Sequence, residues 1–328
     1  MVPEPEFESY YGKQIIKTPT WKAPDVPLYL FLGGLAGASS LLAEGAAMSD
    51  RPALERVART AAAGGAAIGT VALIHDLGRP ERFLNMLRVF KVTSPLSVGS
   101  FILAPFGGLS TAAFLSNVTG RLPRLGRLAG VGAAALGPPL ATYTAALICN
   151  TAVPAWNEGH REMPFIFAGS GATAAGGLAM IATPAAQNGP ARRMAIGGAA
   201  VELVSAEMLK RRLGMVAEPY ERGRPGLLMK AARAMTAGSA ALSLVRGRSR
   251  VVSVVAGTSY VAASLLTRFG VFEAGIASAK DPKYTVVPQK ERLARREAEA
   301  EADAEAEAEA EPEAGGSPSS GAKVHHSS

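Results

Sequence analysis

The sequence predicts an all-α integral membrane protein, an eight-transmembrane-helix bundle, and three observations carry that prediction. Of its 328 residues 48% are hydrophobic and 19% charged, where a soluble protein has about 25% charged. The charges are bunched: nine acidic residues lie between Glu297 and Glu313, whereas Leu96–Leu115 and Pro164–Thr183 hold none. Apolar runs of about 20 residues match the thickness of a bilayer. Lipid gives an open backbone no hydrogen-bond partners, so such runs are read as helices, here as two four-helix bundles.

In chain order, residues 1–27 form a polar extension, acidic at first, without the apolar stretch of a cleavable signal peptide. Residues 28–272 form the membrane domain, with eight apolar segments: Leu28–Ala47, Val57–Ile74, Leu96–Leu115, Leu128–Val153, Pro164–Thr183, Met194–Leu209, Ala231–Val245 and Val251–Phe272. The second, sixth and seventh are short, interrupted or flanked by Arg59, Glu202, Glu207 and Arg233. Gly33-x-x-x-Gly37 and Gly65-x-x-x-Gly69 are read as helix-packing motifs that let backbones approach closely. Pro138-Pro139 should kink the fourth segment by removing backbone donors. Residues 273–296 are polar and basic. Residues 297–328 are a low-complexity acidic tail, read as disordered or weakly helical: alanine and glutamate favour helix, but acidic groups at every second position repel one another along it.

The remaining composition works by exclusion. One cysteine, Cys149, allows no disulfide framework, zinc knuckle or iron–sulfur ligand set. Of four histidines only His75 lies at membrane depth, which leaves no pair to hold a haem, so no metal site is expected. The net charge of +7 separates into +15 over residues 1–296 and −8 beyond. The bases flank apolar runs and form no separate domain, which argues for interfacial charge and against nucleic acid. Eight spans place both termini on one side, which also carries 20 of the bases at and beyond the span ends, against 11 on the other. The positive-inside bias makes that side cytoplasmic in a plasma-membrane protein. It is called side A below, and the opposite face side B.

Several polar residues gather toward side A. His75-Asp76-Leu77-Gly78-Arg79-Pro80 closes the second segment, with Asp76 and Arg79 read as a pair across a turn. Trp21, Tyr29 and Trp156 are suited to interfacial anchoring. Tyr143 and Asn150 lie within a long apolar run, where polar groups need partners. Glu44, Glu202 and Glu207 form a looser set of carboxylates inside the spans, which default to a functional reading, here a proton path.

Three of these stretches resemble the NrfD/PsrC family of membrane subunits: Leu28–Gly37, Asp76–Phe83, and the run from Tyr143-Thr144 through Pro154-Ala155-Trp156 to Pro164–Phe167. Ala145 follows Thr144 where the family usually has glycine. The resemblance implies a quinone-interacting subunit of a modular oxidoreductase that holds no metal cofactor of its own. Menaquinone or ubiquinone would be its exchangeable substrate. A docked ferredoxin-like 4Fe-4S subunit would serve a molybdopterin-type catalytic subunit, with formate dehydrogenase, polysulfide reductase and nitrite reductase as the candidate contexts. It supports Tyr143 and the Asp76–Arg79 element as the quinone site. The chemistry of the residues adds His75 as a proton donor oriented by Asp76, with Tyr29, Asn150 and Trp156 around the headgroup. Two other classes are weighed: a structural anchor without quinone chemistry, and a small proton-coupled transporter using the three glutamates. The transporter predicts helix breaks in both halves, whereas Pro138-Pro139 has no counterpart.

Overall fold

The computed structural model describes residues 15–79, 81–245 and 249–310, all helix and connection with no strand among them. The chain divides into two compact units, Met1–Tyr284 and Thr285–Ser328. Within the first, eight long helices are α1 (Asp25–Met48), α2 (Pro52–Asp76), α4 (Pro95–Thr119), α5 (Pro123–Cys149), α7 (Met163–Ala182), α8 (Gly189–Leu213), α9 (Gly223–Leu244) and α10 (Arg250–Lys280). Short helices α3 (Glu81–Met86) and α6 (Pro154–Asn157) and a 3-10 turn (Gly214–Tyr220) complete it. Helix α11 runs from Lys283 to Ala310.

Local sequence explains the ends. Proline stands in the first turn of α2, α4, α5, α7 and α8, where its missing N–H costs nothing and its φ is already helical. Ser94 caps α4 by accepting from the Ser97 backbone N–H, and Gly120 ends that helix at φ 67°. Connections of three residues, Ser49–Arg51 and Gly120–Leu122, make α1/α2 and α4/α5 antiparallel neighbours.

Helices α1, α2, α4 and α5 pack as one four-helix group and α7 to α10 as another, with α1 and α7 meeting between them. Small residues allow α1 to pack closely against α2, α5 and α7. Gly37 and Gly137 each face the other's carbonyl so closely that a Cβ on either would overlap it. Gly34 meets Gly171, and Gly65 lies against Ala36. Both glycine motifs are therefore packing surfaces, as their sequence suggests. Pro138 and Pro139 lie inside α5, and the helix continues through them.

Among the described residues six helices, α1, α2, α4, α5, α7 and α10, are long and apolar enough to cross a membrane. In the acidic tail the helical alternative holds as far as Ala310, the end of α11, because alanine and glutamate are both strong helix formers. Residues 311–328 lie outside the described residues.

Candidate functional site

Near the α1 N-terminus a cavity of about 620 Å³ opens between α1, α2, α4 and α5. Its wall is mainly apolar, with Trp21, Val26, Leu73, Leu77, Met86, Leu96 and Leu147, and six polar residues, Tyr29, Asp76, Asn85, Ser94, Asn150 and Thr151, reach it. Each comes from a helix end or beside one: Tyr29 from the start of α1, Asp76 from the last residue of α2, Asn150 from the residue capping α5.

Tyr29 and Tyr143 share a hydroxyl–hydroxyl hydrogen bond, their rings edge-to-face with centroids 6.5 Å apart. Both are buried, and only Tyr29 lines the cavity. Tyr143 lies one contact deeper, its ring against Gly99 of α4, where any larger residue would collide with it. Either hydroxyl can donate in this pair, so Tyr143 acts toward the cavity through Tyr29.

The Asp76 element is rearranged relative to expectation. Asp76 Oδ1 accepts the backbone N–H of Lys22 at 3.1 Å. This ties the N-terminal segment, and with it Trp21, over the cavity mouth. Among the described residues no ion pair joins Asp76 to Arg79, whose side chain is exposed. His75 does not pair with Asp76: its Nδ1 is 2.8 Å from Asp25 Oδ2, and the side chain is 75% exposed. Residues at i and i+1 point to different faces of a helix, which separates His75 from the cavity that Asp76 lines. Pro80 lies outside the described residues.

Trp156 is not an interfacial anchor. It is fully buried, its indole N–H donates to the Val271 carbonyl at 2.8 Å, and it stacks on Trp21 at 5.6 Å. Gly275 of α10 leaves room for its ring. Ser278 Oγ accepts the Ala155 N–H and the Tyr220 hydroxyl donates to the Ala155 carbonyl. Burial raises the Tyr220 phenol well above its usual range, so it remains a donor. Trp156 therefore supports the cavity through Trp21 and does not line it. Asn150 stands at the α5 end, exposed toward the cavity mouth and not mid-span.

The three glutamates are held by different partners. Glu44 pairs with Arg59 at 3.0 Å, an arginine only 6% exposed that also binds Glu55. Glu207 is exposed and pairs with Arg211 on its own helix. Glu202 is the deeply buried one, 4% exposed, with Oε1 accepting from the Thr267 hydroxyl at 2.8 Å. Beside Thr267, Arg268 is also fully buried, donating to the Phe167 carbonyl at 2.8 Å with its guanidinium 3.7 Å over the Phe167 ring. Sequence reasoning missed Arg268, although an arginine inside an apolar run was the available signal. No group of His, Cys, Asp and Glu among the described residues has metal-site geometry.

A family model described as polysulphide reductase, NrfD, matches residues 17–197, more than half of the chain. The chain belongs to the NrfD family. The matched stretch contains α1 to α7, and so every residue that lines the cavity. No curated protein matches this NrfD-family chain.

Proposed function

We propose that this protein is the quinone-exchanging membrane subunit of a multi-subunit oxidoreductase. It would pass electrons between menaquinone or ubiquinone and a docked ferredoxin-like 4Fe-4S protein, which serves a molybdopterin-type catalytic subunit. The observation that carries this reading is the cavity between the first four long helices, with its apolar wall and its Tyr29–Tyr143 and Asp76 polar side. A quinone headgroup needs donors for its carbonyl oxygens, a route for protons, and apolar room for its tail. Tyr29 supplies the donor, and Tyr143 holds that phenol in place. Asp76, at the cavity edge, exchanges protons with side A water. The leucines and Met86 accept the ring and the start of the isoprenoid chain. When bound, the quinone supplies the redox chemistry, and the protein holds, orients and protonates it.

Orientation belongs to the same proposal, with eight spans in a membrane domain over residues 28–272 and both termini cytoplasmic. Helices α8 and α9 are less apolar along their length than the other six, but α8 turns its buried carboxylate Glu202 inward and shows Val201, Val204 and Met208 outward. An outward apolar stripe supports a lipid-facing helix. The remaining α8 charges cluster at its two ends, where they reach interfacial water. The partner would dock on side A, where the cavity mouth and the basic Lys210–Lys230 stretch lie, and salt should weaken that docking.

The test is quinone-analogue reduction by the assembled complex. Losing one neutral hydrogen bond costs about 0.5–1.5 kcal/mol, roughly two- to tenfold in rate. Tyr29→Phe and Tyr143→Phe should each lower turnover by that order while the partner subunits still co-purify. Wild-type turnover in both variants would remove the site from this cavity.

A further inference from the structure

On side B, three segments enclose a second and chemically different cavity of about 190 Å³. Arg51 comes from the α1–α2 connection, Asn188, Arg192 and Arg193 from the start of α8, and Ser253 from the first turn of α10. No carboxylate lines it, and none of the three arginines forms an ion pair among the described residues. This departs from electrostatic convention. The first turn of a helix carries the positive end of its dipole and favours acids. Here the first turn of the 25-residue α8 contains no acid, has no side-chain cap, and is followed at once by two arginines facing a third. Such a concentration of positive charge is favourable only when an anion offsets it.

The site is also built in advance of any ligand. Arg51 Nη1 donates to the Ala186 carbonyl at 3.2 Å, and its Nε is buried without a partner among the described residues. Gln187 accepts the Ala53 N–H at 2.9 Å, so the two connections are stitched together. Asn188 is buried and donates to Ser253 at 3.2 Å, which brings in α10. By contrast Arg250, one helical turn away, is consumed by carbonyls at the end of α7. The arginines of the cavity thus hold unspent planar donors, the geometry that suits phosphate oxygens. Val251 and Val255, on the opposite side of α10 from Ser253, are exposed and apolar.

We propose that this cavity binds the phosphodiester headgroup of an acidic membrane lipid. Free phosphate shares the headgroup chemistry, and its comparison with the lipid separates the two sources.

The test uses the full-length chain in a nonionic detergent, with melting temperature and native mass spectrometry as readouts. Phosphatidylglycerol, phosphatidylcholine and inorganic phosphate are added separately. Phosphatidylglycerol should raise the melting temperature and remain bound, and phosphatidylcholine should do neither. Each arginine lost should weaken retention by roughly tenfold, the effect of one charge-assisted hydrogen bond. The comparison is therefore between R192Q/R193Q, R51Q and the side B control R124Q, which should retain the wild-type response. If the double variant fails to fold, R193Q, at an exposed position, gives the same reading. Equal responses to the two lipids, or an unchanged response in the arginine variants, would overturn the proposal. Inorganic phosphate stabilising as strongly as the lipid would assign the cavity to a soluble anion and overturn the lipid assignment.

Discussion

At the scale of single residues, the side A cavity depends on which neighbour each polar group selects. Asp76 uses one oxygen to hold the Lys22 backbone, a bond that asparagine can also accept through its amide oxygen. Asp76→Asn should therefore leave the melting temperature near wild type while changing the shape of the pH–rate profile for quinone reduction, because an amide does not ionise as a carboxyl does. An unaltered profile would remove Asp76 from the proton route. Tyr143, Asp76 and Asn150 were legible because polar residues in or beside apolar runs must find partners. The identity of those partners was not legible. Sequence adjacency suggested Asp76 for His75 and Arg79 for Asp76, whereas helix geometry sends His75 to Asp25 and leaves Asp76 to a backbone amide 54 positions away.

At the scale of elements, the small-residue motifs were readable from spacing alone, since a glycine every fourth position marks one helix face. Their partners, α5 for the first motif and α1 for the second, were not, because no sequence interval encodes which helix comes to lie opposite. The Trp156 element is the clearest case of tertiary context overriding composition. A tryptophan between two spans resembles an interfacial anchor, yet here it fills the space left by Gly275 and joins α6 to α10. Trp156→Ala should cost about 3–5 kcal/mol, the usual penalty for emptying a large buried aromatic site. A fall in melting temperature, together with faster proteolysis of the loop before α7, would register it. A second tie on this side joins α8 to the approach to α7, where Arg212 holds Glu162 at 2.5–2.6 Å. The hydrogen bond from Arg212 keeps the Glu162 carboxyl below its ordinary range. A depressed folded-state value means that stability is present above the unfolded carboxylate value of about 4.3 and is lost as pH falls through the lower, folded one. The melting temperatures of wild type and Glu162→Gln should therefore differ at neutral pH and converge in acid.

At the scale of the whole molecule, the all-helical membrane architecture follows from apolar runs that can satisfy their backbones in no other way. The number of crossings is the harder quantity, because α8 and α9 are read by composition as too polar, while α8 buries Glu202 and gathers its other charges toward its ends, and α9 carries the exposed Arg233 at its middle. If α8 spans, its flanking connections lie in different compartments. Ala186 precedes α8 and Glu221 follows the 3-10 turn after it, and both side chains are exposed. Cys149 is buried, so the native thiol gives little background to an aqueous reagent. Ala186→Cys and Glu221→Cys should then be labelled by a membrane-impermeant maleimide from opposite faces, Glu221→Cys only after the cytoplasmic side is opened. At about 1.5 Å per residue the 25 residues of α8 are long enough to cross the hydrocarbon core of about 30 Å. Labelling of both cysteines from the same face would make α8 a surface-lying helix and reduce the crossing count, whatever the fate of the quinone site between the first four long helices.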